Sequence, residues 1–549
     1  MPLTSINDAL ANTFKVNADH PAISDHEGET LTYRELAERV VKLHNLFKGA
    51  GIVPGDHIAI CGKNSSHWAA VAVASVTYGS VAVPLLHDFQ ADTLEHLVKH
   101  SDAKLFFVDD VIYEKLNAEN LETPIGVISL TDYSILLDKT GVVTKSKDNI
   151  DKLMSENYPD GFTTSNLSFY NEKPDELALI NYTSGSTGFS KGVMVTYGNI
   201  ASNERFSVEN IPFLHPGDGT VSMLPMAHMF GLIIELFFPL LKGCHIYFLS
   251  RVPAPSIILK AFAEVKPKQV IAVPLILEKI IKNKIFPELE KQPVKTLIKI
   301  PGINKIIYNK IKTKLIDAFG GQLVQIIVGG AAFDPTVENF LHKIKFPYTV
   351  GYGMTECAPL IAYDVWSTYH KGSVGKIVDR MEFKIDSPDP LKIPGELWVK
   401  GANVMKGYYK NQEATDAVFR DGWMNTGDVC QLDRDGYIYI RGRNKSMILG
   451  PSGQNIYPEE IEAKLNNLPL VAESIVVDRE GKLVALIHPD YEKAKTLKLD
   501  DAAIENQMVK NIADLNTQVA PYEKVASMEI MHDEFEKTPK RSIKRFMYK

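Results

Sequence analysis

Short apolar runs alternate with amphipathic stretches through most of this chain, and that alternation restricts its fold more than any other feature. Tyr33 to Gly51 places Leu36, Val40, Leu43 and Phe47 at helical spacing, and the turn Val53-Pro54-Gly55-Asp56 then leads into the apolar run Ile58 to Ile60. A second amphipathic stretch begins near Trp68, and Ser80 to Leu86 reads as the next strand. The pattern returns at Gln269 to Pro274 and at Leu323 to Val328, each after a helical segment. Strands separated by helices are joined by crossovers, and crossovers build parallel sheets. A chain of 549 residues has room for about three or four domains.

The texture changes along the chain. Gly141 to Pro174 is polar, with few apolar anchors, and reads as a long connection. From Gly395 onward come short alternating strands and glycine turns, Gly395 to Lys400 and Gly436 to Arg441, which predict a smaller antiparallel section. A compact α+β piece follows, with a helix starting at Pro458-Glu459-Glu460-Ile461-Glu462. The charged turn Arg441-Gly442-Arg443-Asn444-Lys445 is the expected boundary, giving domains 1–442 and 443–549. The expected class is α/β: a large N-terminal domain of parallel-rich α/β subdomains plus a small β section, and a small α+β C-terminal domain.

Composition excludes several functions. With 45% hydrophobic and 23% charged residues the chain is neither disordered nor fibrous. Lys plus Arg is 60 against 67 Asp plus Glu, a net charge of −7, so no nucleic-acid footprint covers the whole. Cys61, Cys244, Cys357 and Cys430 form no CxxC pair, which argues against a zinc site or a disulfide framework and fits a reducing compartment. The most apolar window, Gly231 to Leu249, carries Glu235 and Lys242 and reads as a buried helix followed by a strand rather than a membrane span. The N-terminus lacks a basic start followed by an apolar run, so no secretory signal is read and a cytoplasmic protein is expected.

The segment Tyr182-Thr183-Ser184-Gly185-Ser186-Thr187-Gly188-Phe189-Ser190-Lys191-Gly192 follows the apolar run Leu177 to Ile180 and therefore leaves the end of a strand. Glycines let backbone N–H groups converge on an anion, hydroxyls add donors and lysine adds charge, a combination suited to polyphosphate. It is not a Walker A loop, because the Gly-Lys-Ser/Thr ending is missing. Taken alone, such a stretch reads equally well as a flexible linker.

Further segments follow in a fixed order: Leu224-Pro225-Met226-Ala227-His228-Met229-Phe230-Gly231, Val328-Gly329-Gly330-Ala331-Ala332, Gly351-Tyr352-Gly353-Met354-Thr355-Glu356, Gly422-Trp423-Met424-Asn425-Thr426-Gly427-Asp428, and Gly436-Tyr437-Ile438 through Gly442-Arg443-Asn444-Lys445. Together with the glycine-rich loop they resemble, in register, the motifs of the adenylate-forming superfamily, most of all its bacterial long-chain fatty acyl-CoA synthetases. The resemblance runs from about Leu31 to the C-terminus.

That resemblance implies an enzyme that joins a carboxylate to the α-phosphate of ATP, expels pyrophosphate, and passes the acyl group to a thiol with release of AMP. It implies that Thr183, Ser184, Ser186, Thr187 and Lys191 hold the β- and γ-phosphates, with Gly185 and Gly188 shaping the loop around the nucleotide. Glu356 would hold Mg²⁺, a hard cation suited to carboxylate and phosphate oxygens, and Thr355 would donate to the α-phosphate. Gly330, Ala331, Tyr352 and Gly353 would line the adenine side, with Tyr352 stacking on the base. Asp428 would accept from the ribose hydroxyls, and Arg443 would contact ribose or phosphates. His228 would orient the carboxylate, and Met226, Met229 and Phe230 would wall the acyl pocket. Lys445 matches the pivot about which the family's small C-terminal domain swings as a mobile lid.

Two departures stand out. Ser190 replaces the proline usual before the loop lysine. In Glu536-Lys537-Thr538-Pro539-Lys540-Arg541-Ser542-Ile543-Lys544-Arg545, Ser542 occupies the position of the family's closing lysine. In an extended segment Lys540 and Lys544 share its side, so one of them is expected to take over, Lys544 before Lys540.

The carboxylate side is lined by carbon, with Leu232, Ile233 and Phe237 extending the run, which suits an apolar, mostly unbranched acid. The expected substrates are a fatty acid, ATP and CoA, with no nucleic acid; an acyl carrier protein is the alternative acceptor. A catalytically weakened protein that binds nucleotide or acyl-adenylate is the further alternative, and Ser542 is the feature favouring it. Finally, residues 282–316 hold nine lysines against Glu288 and Glu290, a local +7 interleaved with isoleucines, which suits peripheral contact with an anionic membrane as well as a solvated helical surface.

Overall fold

Strands buried on both faces read as unbroken apolar runs, and in the computed structural model Val81–Leu85, Leu105–Val108 and Gly126–Ser129 are buried at every residue. The structure describes residues 5–165, 167–183, 190–249, 255–449, 455–538 and 543–548. Among these, eight strands form one sheet in the order Gly407–Tyr408, Lys191–Thr196, Leu177–Thr183, Val81–Leu85, His57–Cys61, Leu105–Val108, Gly126–Ser129, Ile135–Asp138. The middle strands pair parallel, while both ends close with antiparallel pairs.

The helices that cover this sheet carry clear start signals. Thr32 and Glu35 form a reciprocal capping box before Tyr33–Gly49, whose inward face is Leu36, Val40, Leu43 and Phe47 as the spacing predicts. Burying each such side chain contributes roughly 1.5–3 kcal/mol. Ser65 caps Ser66–Tyr78, and Gly79 ends it in the left-handed region at φ 87°.

A second parallel sheet, Gln269–Ala272, Gln325–Val328 and Tyr348–Val350, has its own apolar core. A third sheet joins Gly219–Ser222 and His245–Phe248 to Pro21–Asp25 and Thr30–Thr32. The antiparallel section is built from Met381–Asp386, Gly395–Gly401, Trp423–Leu432, Phe419–Arg420 and Ile438–Arg443, so it starts before Gly395. Beyond it, Val471–Arg479, Lys482–Pro489 and Ser527–Ile530 form a sheet covered by helices Pro458–Leu465 and Asp501–Gln518, with separate apolar clusters. This is the expected α/β class with a large N-terminal and a small C-terminal part.

Gly231 to Leu249 is a buried helix and then a strand, as expected, but its first part, Gly231–Phe237, is wound as a π-helix. The segment after Gly141 corrects the reading of one long connection. Helices Val142–Asp148 and Ile150–Asn157 occupy it, anchored by buried Val143, Ser146 and Met154, and irregular chain begins only after them. The hydroxyl of Ser146 donates to the Leu46 carbonyl at 2.9 Å, a fixing point that polarity alone hides. All four cysteines are free and buried. Among the described residues no helix is long and apolar enough to cross a membrane.

Candidate active site

Leu177–Thr183 and Lys191–Thr196 pair antiparallel with Thr183 directly opposite Lys191, so the two residues that flank the glycine-rich segment face each other near one side of the large sheet. Ser184, Gly185, Ser186, Thr187 and Gly188 lie outside the described residues, as do Lys540 and Ser542. What is described fixes both ends of the loop.

Lys191 Nζ lies 4.8 Å from the centre of the Tyr408 ring, and the Tyr408 hydroxyl donates to Glu356 Oε1 at 3.0 Å. Tyr408 arrives on Gly407–Tyr408, which pairs with Val193 and Met194, while Met405 N–H donates to the Glu356 carbonyl at 2.8 Å. Lys191 and Glu356, which the sequence separates by 165 positions, are thereby linked through one tyrosine. Thr355 is buried at the start of the short turn Thr355–Cys357. Burial followed by the Glu356 charge pushes the Tyr408 hydroxyl far above the ordinary tyrosine range, so it stays a donor.

A second chain of contacts runs through Tyr352, whose hydroxyl donates to Asp428 Oδ2 at 2.5 Å. Asp428 Oδ1 lies 3.3 Å from Arg443 Nε, and these two residues face each other across paired strands. Asp428 is buried, and burial raises its pKa against the opposing pull of the Arg443 guanidinium and the Tyr352 hydroxyl.

The acyl-side segment is held from below by two asparagines that the motif reading missed. Asn64 Oδ1 accepts from Met226 N–H at 2.9 Å, and Asn181 Nδ2 donates to the Ala227 carbonyl at 2.9 Å. Asn181 lies on the strand that ends at Thr183, so phosphate-side and acyl-side segments share one support. Met226 and Met229 are buried, and His228 and Phe230 half-buried. A methyl group on Gly329 would come 3.1 Å from the Phe230 ring, which places that ring against the Gly329-Gly330 turn. Gly330 has φ 88°, and Gly330 and Ala331 are exposed just beyond the strand Gln325–Val328. Gly351 N–H donates to the Val328 carbonyl at 2.9 Å, so the turn and the Gly351-to-Glu356 segment leave neighbouring parallel strands at their carboxyl ends, where open α/β sheets bind ligands. Gly353 tolerates no side chain: a Cβ there would meet the Pro359 carbonyl at 2.2 Å.

Glu235, the acid inside the apolar run, is turned toward backbone. Its Oε2 accepts from Ser222 Oγ and from Met223 and Leu224 N–H at 2.9–3.1 Å, and burial pushes its pKa up to about 8.

The family model described as AMP-binding enzyme matches residues 10–409, and the model described as AMP-binding enzyme C-terminal domain matches residues 445–548. The chain belongs to the AMP-binding enzyme family. Among AMP-binding enzyme relatives, a long-chain-fatty-acid–CoA ligase of Escherichia coli O6:H1 is 30% identical over 496 residues, 86% of this chain and 82% of that protein. A feruloyl-CoA synthase of an Amycolatopsis species is 28% identical over 93% of this chain and 92% of its own. ATP-bound MatB of Rhodopseudomonas palustris superposes with a TM-score of 0.76 over 99% of this chain and 98% of its own, at 23% identity, a likeness in fold.

The remaining candidates, Lys445 and Lys544, lie in the part of the chain matched by the C-terminal family model. Lys445 is exposed in the turn Asn444–Ser446. Lys544 Nζ pairs with Glu536 at 3.7 Å, and its N–H donates to the Glu536 carbonyl at 2.8 Å, so in this structure it is held within its own C-terminal piece.

Proposed function

We propose that this protein is an ATP-dependent ligase that joins a fatty acid to coenzyme A through an acyl-adenylate. Family membership carries the coarser statement, an AMP-forming acid–CoA ligase. The finer one rests on a single observation. The run beside the candidate phosphate hairpin offers the acid Met226, Met229 and Phe230, while its one carboxyl group, Glu235, is committed to the backbone of Met223 and Leu224. A ligand with a second charge would find no partner in that run, whereas a hydrocarbon chain loses nothing by entering it. The relatives named for long-chain fatty acids support this reading, and the one named for ferulate marks an aromatic acid as the competitor to test.

In this reading Thr183 and Lys191 take the polyphosphate at the hairpin, and Thr355 donates to the α-phosphate. Glu356 accepts from the Tyr408 hydroxyl through Oε1, and its carboxylate is a hard donor beside the phosphate site that fits Mg²⁺. The ion, when bound, neutralises phosphate charge. Asp428 takes the ribose hydroxyls with Arg443 beside it, Tyr352 stacks on adenine next to Gly330, Ala331 and Gly353, and His228 orients the carboxylate. The carboxylate oxygen then bonds to the α-phosphorus as pyrophosphate leaves, and the thiol sulfur bonds to the acyl carbon as AMP leaves. Residues 1–442 carry the adenylation site in this scheme, and 443–549 swing about Lys445. The four free, buried cysteines support a reducing, cytoplasmic setting.

ATP–pyrophosphate exchange across acids of increasing chain length, with ferulate alongside, tests the proposal. Exchange rising with chain length is expected; exchange with ferulate alone would overturn the fatty-acid assignment. Thioester formation with CoA and with an acyl carrier protein separates the two acceptors. Ser542 supports a second reading, a weakened nucleotide-binding protein, and absence of exchange with every acid would favour it. If Lys544 or Lys540 substitutes for the missing lysine, replacing it by alanine slows exchange.

A further inference from the structure

The basic stretch between the two strands Gln269–Ala272 and Gln325–Val328 is a string of short helices, unbroken through Glu290 with Pro287 in the first turn of Phe286–Glu290, interrupted around Pro293 and Pro301, and ending in the longer helix Ile303–Ala318. That last helix is attached shallowly. Of its sixteen residues Leu315 alone is fully buried, while Tyr308, Ile311 and Ile316 rest partly against the core of the second sheet. Its outward face is Lys305, Ile306, Asn309, Lys310, Thr313, Lys314 and Asp317, all exposed. Ile306, Lys310 and Lys314 are four residues apart and form one stripe, and exposed Lys299 and Ile300 precede it.

Charge and hydrophobicity coincide there. Lys282 pairs with Asp334 at 2.5 Å, Lys291 with Glu288, and Lys295 with Glu290 at 2.6 Å. Lys284, Lys299, Lys305, Lys310, Lys312 and Lys314 make no ion pair among the described residues, and Asp317 is the one acid on the long helix. Six uncompensated positive charges therefore sit on a protein whose net charge is −7. Beside them Ile306 is 69% exposed and Ile300 42%, large apolar side chains turned to solvent.

We propose that this face, from Lys299 to Lys314, docks the protein on an anionic phospholipid bilayer, the lysines meeting headgroup phosphates and Ile300 and Ile306 entering the headgroup–acyl boundary. The chemistry favours lipid over nucleic acid. Residues 252–379 contain no arginine, the side chain suited to bidentate phosphate and base contacts, and the aromatic Tyr308 is turned inward beneath Lys343. Lysine is a strongly hydrated point charge suited to a fluid headgroup layer, and aliphatic side chains between lysines gain from a bilayer and not from a duplex. The proposal concerns where the protein sits and is independent of which acid it activates.

The experiment is co-sedimentation of the full chain with vesicles of phosphatidylcholine alone and with phosphatidylserine added, at low and high salt, without substrates. Binding to the anionic vesicles, at least tenfold stronger than to neutral ones and weakened by salt, is expected. K305Q/K310Q/K314Q is expected to lose on the order of a hundredfold, since each basic residue near such a surface contributes about fivefold. I300S/I306S should bind more weakly at equal charge, and both variants should keep wild-type ATP–pyrophosphate exchange with a water-soluble acid, which shows that they are folded. Equal binding to both vesicle types, unchanged binding by the lysine variant, or duplex DNA bound as tightly as anionic vesicles would each overturn the proposal.

Discussion

Glu235 shows how one side chain sets both geometry and pH response. Its side chain fixes the backbone of Met223 and Leu224, two residues ahead of Pro225 and Met226, so it helps to position the Leu224-to-Gly231 segment. Burial pushes its pKa from the ordinary 4.5 up to about 8. Between these values the unfolded chain ionises Glu235 while the folded chain keeps the proton, so stability falls as pH rises, by about 1.4 kcal/mol per unit. Glu204, wholly buried with both carboxylate oxygens unpartnered, pushes in the same direction. Glu235→Gln keeps an acceptor for both N–H groups, and its unfolding free energy should decline less between pH 6 and pH 8 than that of the parent chain. Denaturant titrations at the two pH values measure the difference. At the phosphate end, Tyr408→Phe keeps the ring beneath Lys191 and removes the donor to Glu356. A hydrogen bond to a charged group contributes about 1.5–3 kcal/mol, so exchange should fall by roughly ten- to a hundredfold, with a higher Mg²⁺ requirement read from its concentration dependence.

At the level of elements, the sequence announces what is locally determined. Val81–Leu85 and Gln325–Val328 are buried on both faces and so appear as plain apolar runs, and Tyr33–Gly49 carries its capping box and its stripe in adjacent letters. The π-wound turns of Gly231–Phe237, buried at every residue, have no such letters. Val142–Asp148 and Ile150–Asn157 were hidden by polarity, since their anchors are one valine, one methionine and a serine bonded to a distant helix. In the candidate site, motif order exposed Lys191, Glu356 and Asp428, but Tyr408, Asn64 and Asn181 act across long sequence separations. The compact string Gly407-Tyr408-Tyr409-Lys410 was the one signal for Tyr408. Turn geometry also separates two glycines of the site. Gly353→Ala drives a Cβ to 2.2 Å from a backbone carbonyl, whereas Gly329→Ala meets the ring of Phe230 at 3.1 Å, a side chain free to tilt. The first should lower Tm by several degrees more than the second, measured by scanning calorimetry.

For the whole molecule, the apolar clusters on either side of Lys445 are separate; polar ties between residues 1–442 and 443–549 are Arg443 with Asp428, Asn444 with Glu396 and Arg441 with Glu460, and Gly442 lies close to the Tyr457 ring. The exposed Asn444 and half-exposed Arg441 ties contribute little, about 0–1 kcal/mol each, whereas Asp428 is buried, so its pair with Arg443 is the main polar contact that a swing of the smaller part has to break. Trypsin is expected to cut first after exposed Arg443 or Lys445, giving two fragments identifiable by mass, and ATP with a bound acid should slow that cut. Protection by CoA alone, with no effect of ATP, would argue against the nucleotide gathering Asp428 and Arg443 around itself.

The four sulfhydryls offer a final, practical consequence. Each is sealed in the interior, with burial raising Cys244 and Cys430 to about 12 and Cys61 and Cys357 higher than free cysteine. Thiolate is the reactive form, so alkylating dyes will pass over the native chain. One cysteine introduced on each side of the Arg441-to-Lys445 turn would then give a clean pair of attachment points, and the distance between two fluorophores could be followed through a single turnover without removing any natural cysteine.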